Sequence, residues 1–387
     1  MPKRGLDVHV WLNPYRAIQH IEKTVAAPNH VTNTHPEWFL TYGNKKYFDP
    51  GIQEVRDHVT NVVADIVRRY DIDAIHFDDY FYPYRIANVE FPDQNSFTAY
   101  PNGFDTDKKD DWRRNNVDLI IRQLHDSIKA INPSVELGIS PFGVWKNNNT
   151  DPAGSATKAG VTNYDDLYAD ILLWQKEGWI DYVTPQLYWY IGKTVADYTI
   201  LADWWSRNTF GCQLYIGQAP FLLNTKSRDA AWQTSDEITK QIRLNRSYSN
   251  IAGSMFFSAK HLKLNPLGVE ENLKKEFFKY PALTPPNPRI ERIIPTAPEK
   301  PVIEKKHKVF ELSWKKSADN RMFVVYKSSK KSKLNIDNPE NIWKVTSDQS
   351  VLIEKNRKTK TSKYNYAVTS ISPTHHESVP IIFNHVE

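Results

Sequence analysis

Asp78 and Asp79 stand side by side in Asp73-Ala-Ile-His76-Phe77-Asp78-Asp79-Tyr80-Phe81-Tyr82-Pro83, where an apolar pattern runs into two carboxyl groups and a cluster of aromatics. Read with period two, Ile75 and Phe77 share one face and His76, Asp78 and Tyr80 the other. This is the pattern of a strand buried under helices on one side and lining a lumen on the other. An unpaired buried carboxylate is costly or gives up its charge. The acids are therefore expected at the C-terminal rim of a parallel α/β sheet, where such sheets keep their chemistry. Glycoside cleavage uses two carboxyl groups, about 5–5.5 Å apart for retention and about 6.5–9.5 Å for inversion. Neighbours on a strand leave on opposite faces. Asp78, facing the lumen with His76, is thus read as nucleophile or base, and Asp79 as a brace for an arginine or a loop. The partner acid has to come from elsewhere on the rim. Later strand ends carry Ser140, Gln186, Gln218 and Ser258, which leaves Glu37, Glu90, Asp165, Asp166 and Asp170 as candidates. Each of these can equally be a helix cap or a surface charge.

Sugar rings present hydroxyls to amides and apolar faces to aromatics. Asn13, Gln186 and Gln218, with Trp11, Tyr15, Tyr80, Tyr82, Trp145, Tyr188 and Trp189, suit a saccharide cleft, though some of these rings can be core. Arg16, Arg113 and Arg114 could hold a substrate carboxylate or neutralise the aspartates. His9 and His76 complete the expected binding set. With Asp78 they could also be read as metal ligands, but no third ligand stands at metal-site spacing. No metal and no cofactor are expected.

The elements that must position these residues repeat. Leu6 to Leu12 alternates, with Leu6, Val8, Val10 and Leu12 on one face and Asp7, His9, Trp11 and Asn13 on the other. A helix is expected over about Ile52–Tyr70, with Val55, Val59, Val62, Val63, Ile66 and Val67 at helical spacing. It leads to the Asp73–Pro83 stretch. Further helices are expected at Trp112–Ile131 and Tyr164–Gly178. They alternate with strands at Val135–Trp145, Asp181–Trp189, Gln213–Gln218 and Ala252–Ser258. Such alternation means a parallel sheet, here with six lumen strands.

The 387 residues hold one Cys, 12 Trp and 20 Tyr, with 13% aromatic residues and a net charge of +5. That charge is uneven: residues 283–387 carry 19 Lys and Arg against 11 Asp and Glu, and residues 1–282 carry 31 against 34. The larger part therefore has no basic excess that would argue for nucleic acid. Lone Cys212 permits no intrachain disulfide and no cysteine metal site. No apolar run is long enough for a membrane span, and no secretory core follows Met1.

Several motifs, Trp11-Leu-Asn-Pro-Tyr-Arg16, Ile75 to Pro83, Trp112-Arg-Arg114, Gly138 to Trp145 and Asp181 to Trp189, closely resemble the bacterial glycosyl-hydrolase-like family 10 over roughly residues 4–265. The resemblance implies a TIM-type (β/α) barrel, an envelope or extracellular setting, and hydrolysis of an oligo- or polysaccharide such as peptidoglycan glycan. A non-catalytic carbohydrate-binding protein is the alternative. Family members have two βα units before the strand that here begins at Leu6. The chain is accordingly expected to be part of a longer protein, its barrel open and its activity and solubility dependent on the absent units.

After Tyr280 the composition changes. The domains are read as a partial barrel over 1–280, a Pro-rich linker over 281–300 and a small all-β sandwich over 301–387. Short alternating strands at Val309–Trp314, Arg321–Lys327, Ser350–Ile353, Tyr364–Ser370 and Val379–Phe383, with Trp314 and Tyr364, resemble a fibronectin type III domain.

Overall fold

The computed structural model describes residues 5–226, 229–306, 309–354 and 364–383. The chain divides into two compact units, His9–Glu270 on the one hand and Met1–Val8 with Glu271–Glu387 on the other. Residues 5–8 and 271–280 thus group with the C-terminal part rather than with residues 9–270.

The larger unit is α/β. Its parallel sheet has six strands in chain order: β1 (His9–Leu12), β2 (Ala74–Phe77), β3 (Glu136–Ile139), β4 (Tyr182–Val183), β5 (Gln213–Gln218) and β6 (Ile251–Phe256). All neighbouring pairs are parallel. Helix α1 (Gln53–Arg69) buries Val55, Val59, Val63 and Val67, a stripe of period close to four that faces the core, and leaves Val62 exposed. Helix α2 (Lys109–Ile131) buries Trp112, Val117, Ile120, Ile121, Leu124 and Ile128 in the same way.

Several strands are shorter than their apolar patterns. Pro141 follows β3 and Pro185 follows β4, and a proline cannot donate to the ladder. Beyond them pairing survives as single bridges of Gln186 with Phe142 and with Gly217. β1 begins at His9 rather than Leu6. Within the smaller unit, Asp7 accepts a 3.0 Å hydrogen bond from Thr284 and pairs with Arg321 at 3.4 Å and His375 at 3.6 Å. Those polar partners override the alternation that extended the strand backwards. The helix expected at Tyr164–Gly178 is two, Asn163–Asp166 and α3 (Ile171–Lys176). Tyr168 between them has φ of +53°, which no helix interior accommodates.

The sheet is curled. Tyr182 on β4 reaches His9 on β1 with a 2.8 Å hydrogen bond, although three strand spacings of a flat sheet would be about 14 Å. Gly138 makes this possible: a Cβ there would lie 1.9 Å from the Tyr182 ring. The inner strands are buried, whereas β6 is half-buried throughout and β1 alternates between exposed and half-buried. Among the described residues no helix is long and apolar enough to cross a membrane.

The smaller unit holds two antiparallel sheets. One has the order β7 (Glu299–Lys306), β8 (Val309–Lys315), β11 (Ser350–Glu354). The other runs β10 (Ile342–Thr346), β9 (Met322–Ser329), β12 (Tyr364–Ile371), β13 (Ile381–Ile382). Ile303, Leu312, Trp314, Val351 and Ile353 of the first sheet share one core with Phe323, Val325, Tyr366 and Val368 of the second. Two of these strands, β7 and β10, were not expected from the sequence. β7 starts inside the stretch read as linker, because its alternation is masked by Lys and Glu on the outer face.

Candidate active site

Asp78 follows the last residue of β2 and lines a cleft of about 450 Å³. Three donors hold its carboxylate. Trp11 Nε1 donates to Oδ2 at 3.1 Å, and Gln186 Nε2 and the Asp79 backbone N–H each donate to Oδ1 at 2.9 Å. Hydrogen bonds to a charged group are each worth about 1.5–3 kcal/mol, so the set fixes the direction of the carboxyl group. The Gln186 amide also donates to the Ser140 carbonyl at 2.8 Å, which aims it at Asp78.

Asp79 turns the other way and is buried. Tyr84 donates its hydroxyl hydrogen to Asp79 Oδ2. Burial, then repulsion from Asp78, pushes the Asp79 carboxyl up to about 7, against the opposing pull of the Tyr84 hydrogen bond. Below about pH 7 Asp79 therefore keeps its proton, which limits repulsion between the adjacent carboxyls. No arginine braces Asp79 among the described residues; a tyrosine does.

The cleft has two unlike walls. His9, Trp11, His76, Asp78, Ser140, Thr184 and Gln186 form a polar one, and Tyr188, Phe221, Met255, Phe256 and Phe257 an apolar one. Tyr80 also lines the cleft, with the Arg16 guanidinium 4.8 Å from its ring centre. Phe221, Met255, Phe256 and Phe257 were missed at the sequence level. They sit at the ends of β5 and β6, where an apolar residue reads as core. The only signal available was position: each lies at or just beyond the C-terminal end of a parallel strand.

Of the residues expected to bind substrate, His9, Trp11, His76, Tyr80, Gln186 and Tyr188 come together in this cleft. The others do not line it. Tyr15 and Tyr82 are buried, and Tyr82 packs on Phe91 and Tyr168. Arg113 is bound by Asp93 through two hydrogen bonds of 2.8 and 2.7 Å and by the Tyr168 hydroxyl at 2.8 Å, so it neither holds a substrate carboxylate in the cleft nor neutralises Asp78. Arg114 pairs with Asp111. Trp145 stacks on Trp204 and donates to Asp170 at 3.3 Å. Trp189 packs edge-on against Phe142, and buried Gln218 donates to Gln241 at 3.3 Å. Asn13, next to the rim, keeps both side-chain polar atoms buried without a partner among the described residues.

None of the candidate partner acids lines the cleft. Glu37 is exposed beside His35, Glu90 pairs with Arg113, Asp165 and Asp166 border Lys146 and Arg85, and Asp170 caps α3. Asp78 is the one carboxylate among the described residues lining the cleft. No group of three or more His, Cys, Asp or Glu placed to hold a metal occurs among the described residues.

The Glycosyl hydrolase-like 10 family model matches residues 1–234. The chain belongs to that family. The glycosyl hydrolase YngK of Bacillus subtilis (strain 168) is 41% identical over 389 residues, covering 97% of this chain and 74% of YngK. The glycosyl hydrolase DigH of Escherichia coli (strain K12) is 38% identical over 275 residues, covering 67% of this chain and 62% of DigH. This chain thus spans less than two thirds of DigH. Among solved structures, the glycoside hydrolase domain of PgaB (BpsB) from Bordetella bronchiseptica aligns with 69% of this chain and 74% of its own, at 12% identity and a TM-score of 0.45.

Proposed function

We propose that this member of the glycosyl hydrolase-like 10 family hydrolyses a bacterial cell-wall or other polysaccharide glycan, with Asp78 as the catalytic carboxylate, acting as nucleophile or base. The observation that carries this reading is the placement of Asp78: held by Trp11, Gln186 and a backbone N–H, in a cleft lined both by polar groups suited to hydroxyls and by aromatics suited to sugar faces. Behind it, burial raises the Asp79 carboxyl to about 7, and Tyr84 holds that carboxyl in place.

The absence of a second carboxylate among the described residues of the cleft favours two further statements. Either the protein binds glycan without cleaving it, or the second acid arrives on strands that complete the sheet. We favour the latter: a TIM-type barrel closed by two additional βα units laid between the half-exposed strands β1 and β6. The C-terminal pair of sheets is read as a fibronectin type III-like domain, and the setting as the envelope or exterior.

The test compares turnover of purified glycan strands by wild type, Asp78→Asn and a chelator-treated sample. Loss of at least about a hundredfold in kcat for Asp78→Asn, retained glycan binding, and indifference to chelation support the hydrolase. Binding without turnover in wild type, even with the completing strands present, supports the binding protein. Sensitivity to chelation would point to a metal-dependent reaction and sink the carboxylate mechanism.

A further inference from the structure

Below Asp78 lies a polar chain that the reading above does not use. The Tyr182 hydroxyl oxygen is 2.8 Å from His9 Nδ1 and 2.9 Å from His76 Nδ1, and His76 Nε2 is 2.9 Å from Ser140 Oγ. The four residues come from four neighbouring strands or their ends. His9, His76 and Ser140 all border the cleft.

Counting hydrogens limits what this chain can do. Tyr182 has one hydrogen and cannot donate to both imidazoles. His76 is buried, and burial followed by the proximity of His9 pushes it down to about 3, so it stays neutral near pH 7 with one hydrogen on one nitrogen. Only two arrangements then fill every link. In the first, Ser140 donates to His76 Nε2, His76 Nδ1–H donates to Tyr182, and Tyr182 donates to His9 Nδ1. In the second every link is reversed. His9 Nδ1–H donates to Tyr182, Tyr182 to His76 Nδ1, and His76 Nε2–H to Ser140. The Ser140 hydrogen is then free for the cleft or for the Phe77 carbonyl at 3.4 Å, a weak competitor. The first arrangement needs a lone pair on His9 Nδ1; a doubly protonated His9 permits only the second.

We propose that His9, Tyr182, His76 and Ser140 form a proton-coupled chain in which protonation of His9 reverses every link and turns Ser140 from an acceptor into a donor toward a sugar oxygen in the cleft. The proton count balances. The Ser140 hydrogen passes to His76 Nε2, the His76 Nδ1 hydrogen to Tyr182 and the Tyr182 hydrogen to His9, while one proton from the cleft solvent replaces the one on Ser140. The net gain is one proton, borne as charge by His9. Glu136 on β3, Asp181 just before β4 and Tyr215 on β5 bear on Tyr182, and Asp78, just after β2, lines the cleft with His9 and His76; Lys129 pairs with Asp181 at 2.8 Å. His9, Tyr182 and His76 are positioning residues acting through Ser140. The reversal itself does not depend on the hydrolase reading; its use on a sugar oxygen does.

Nitrogen-15 NMR of the histidine side chains in the 387-residue protein, between about pH 5 and 8 where histidines titrate, reads the tautomer of His76. In wild type it should move from Nδ1–H to Nε2–H as His9 gains its proton. In Tyr182→Phe, His9 should titrate without His76 following. In His9→Gln, a change at an exposed position that does not depend on the Tyr182 variant folding, His76 should keep one tautomer throughout. A single His76 tautomer across the wild-type titration of His9, or a switch that persists in either variant, overturns the chain. A glycan oligosaccharide supplies the second arm: its affinity should change several-fold across the same titration in wild type and stay flat in His9→Gln. A tautomer switch with flat wild-type affinity overturns the role given to Ser140. No glycan binding at any pH would instead count against the hydrolase reading, with the NMR arm still deciding the chain.

Discussion

Asp78 and Asp79 have the same side chain and adjacent positions, yet their surroundings differ. Asp78 meets three donors at the cleft; Asp79 is buried beside it and held up to about 7. The consequence for stability has a definite sign. Because the folded value lies above the ordinary 3.8, the folded protein keeps a proton that the unfolded chain has lost between about pH 4 and 7. Stability from this group is present at acid pH and falls as pH rises through that window, by up to about 1.4 kcal/mol per pH unit. Half-buried Asp118, also raised to about 7 by desolvation, acts in the same direction. His76 acts in the other, since its folded value of about 3 lies below its ordinary 6.5 and its contribution is lost as pH falls between them. Urea unfolding at pH 5 and pH 7 should therefore show Asp79→Asn gaining stability relative to wild type at the higher pH. An unchanged pH slope would mean that Asp79 is already ionised in the fold. On activity, Asp78→Asn should cost at least about a hundredfold in kcat and Asp79→Asn less. The reverse ranking in two folded variants would move the catalytic role to Asp79.

Strand ends, more than strand interiors, decide what the cleft contains. Pro141 and Pro185 stop β3 and β4 early, and the chain beyond them, held by the Gln186 bridges, delivers the Gln186 amide to both Asp78 and Ser140. Gly138 has an equally local task. A methyl group there would sit 1.9 Å from the Tyr182 ring, so the ring would have to leave its path across the sheet. Gly138→Ala is expected to cost about 1–3 kcal/mol, the usual range for overpacking, and to separate Tyr182 from His9 and His76. Gly160→Ala serves as the matched control, because nothing lies within 4 Å of its added Cβ and its φ is ordinary. Thermal unfolding of the two variants checks the contrast; equal shifts would show that the Tyr182 ring has room to move.

The parallel sheet, as described, runs from β1 to β6 with the half-exposed strands on the outside. Outer strands with apolar, partly exposed side chains invite pairing with another chain. The 387-residue protein is therefore expected to associate with rising concentration, and light scattering with and without a polypeptide supplying two further βα units should show the association suppressed and turnover gained. A monodisperse, fully active monomer of this chain alone would refute the open-barrel reading. The proposed envelope or exterior setting is checked by fractionating cells of the source organism that express the protein, where recovery solely from the cytosol would defeat it.

The sequence by itself determined the period-two strands, their alternation with helices, and the arrival of Asp78 and its facing partners at a rim, because these follow from hydrophobic periodicity and the cost of burying charge. It also separated Asp78 from Asp79, since the pleat sends neighbours to opposite faces. It could not assign Arg113, whose partner Asp93 lies 20 residues away across a loop, nor recognise that Phe221 and Phe257 face a cleft, because an apolar side chain reads the same in a core and in a wall. It overextended β1 through Asp7, whose partners Thr284, Arg321 and His375 are remote in sequence. The joining of His9, Tyr182, His76 and Ser140 was likewise decided only by the curl of the sheet. That curl depends on the side chain that Gly138 lacks, and no periodicity records a missing atom.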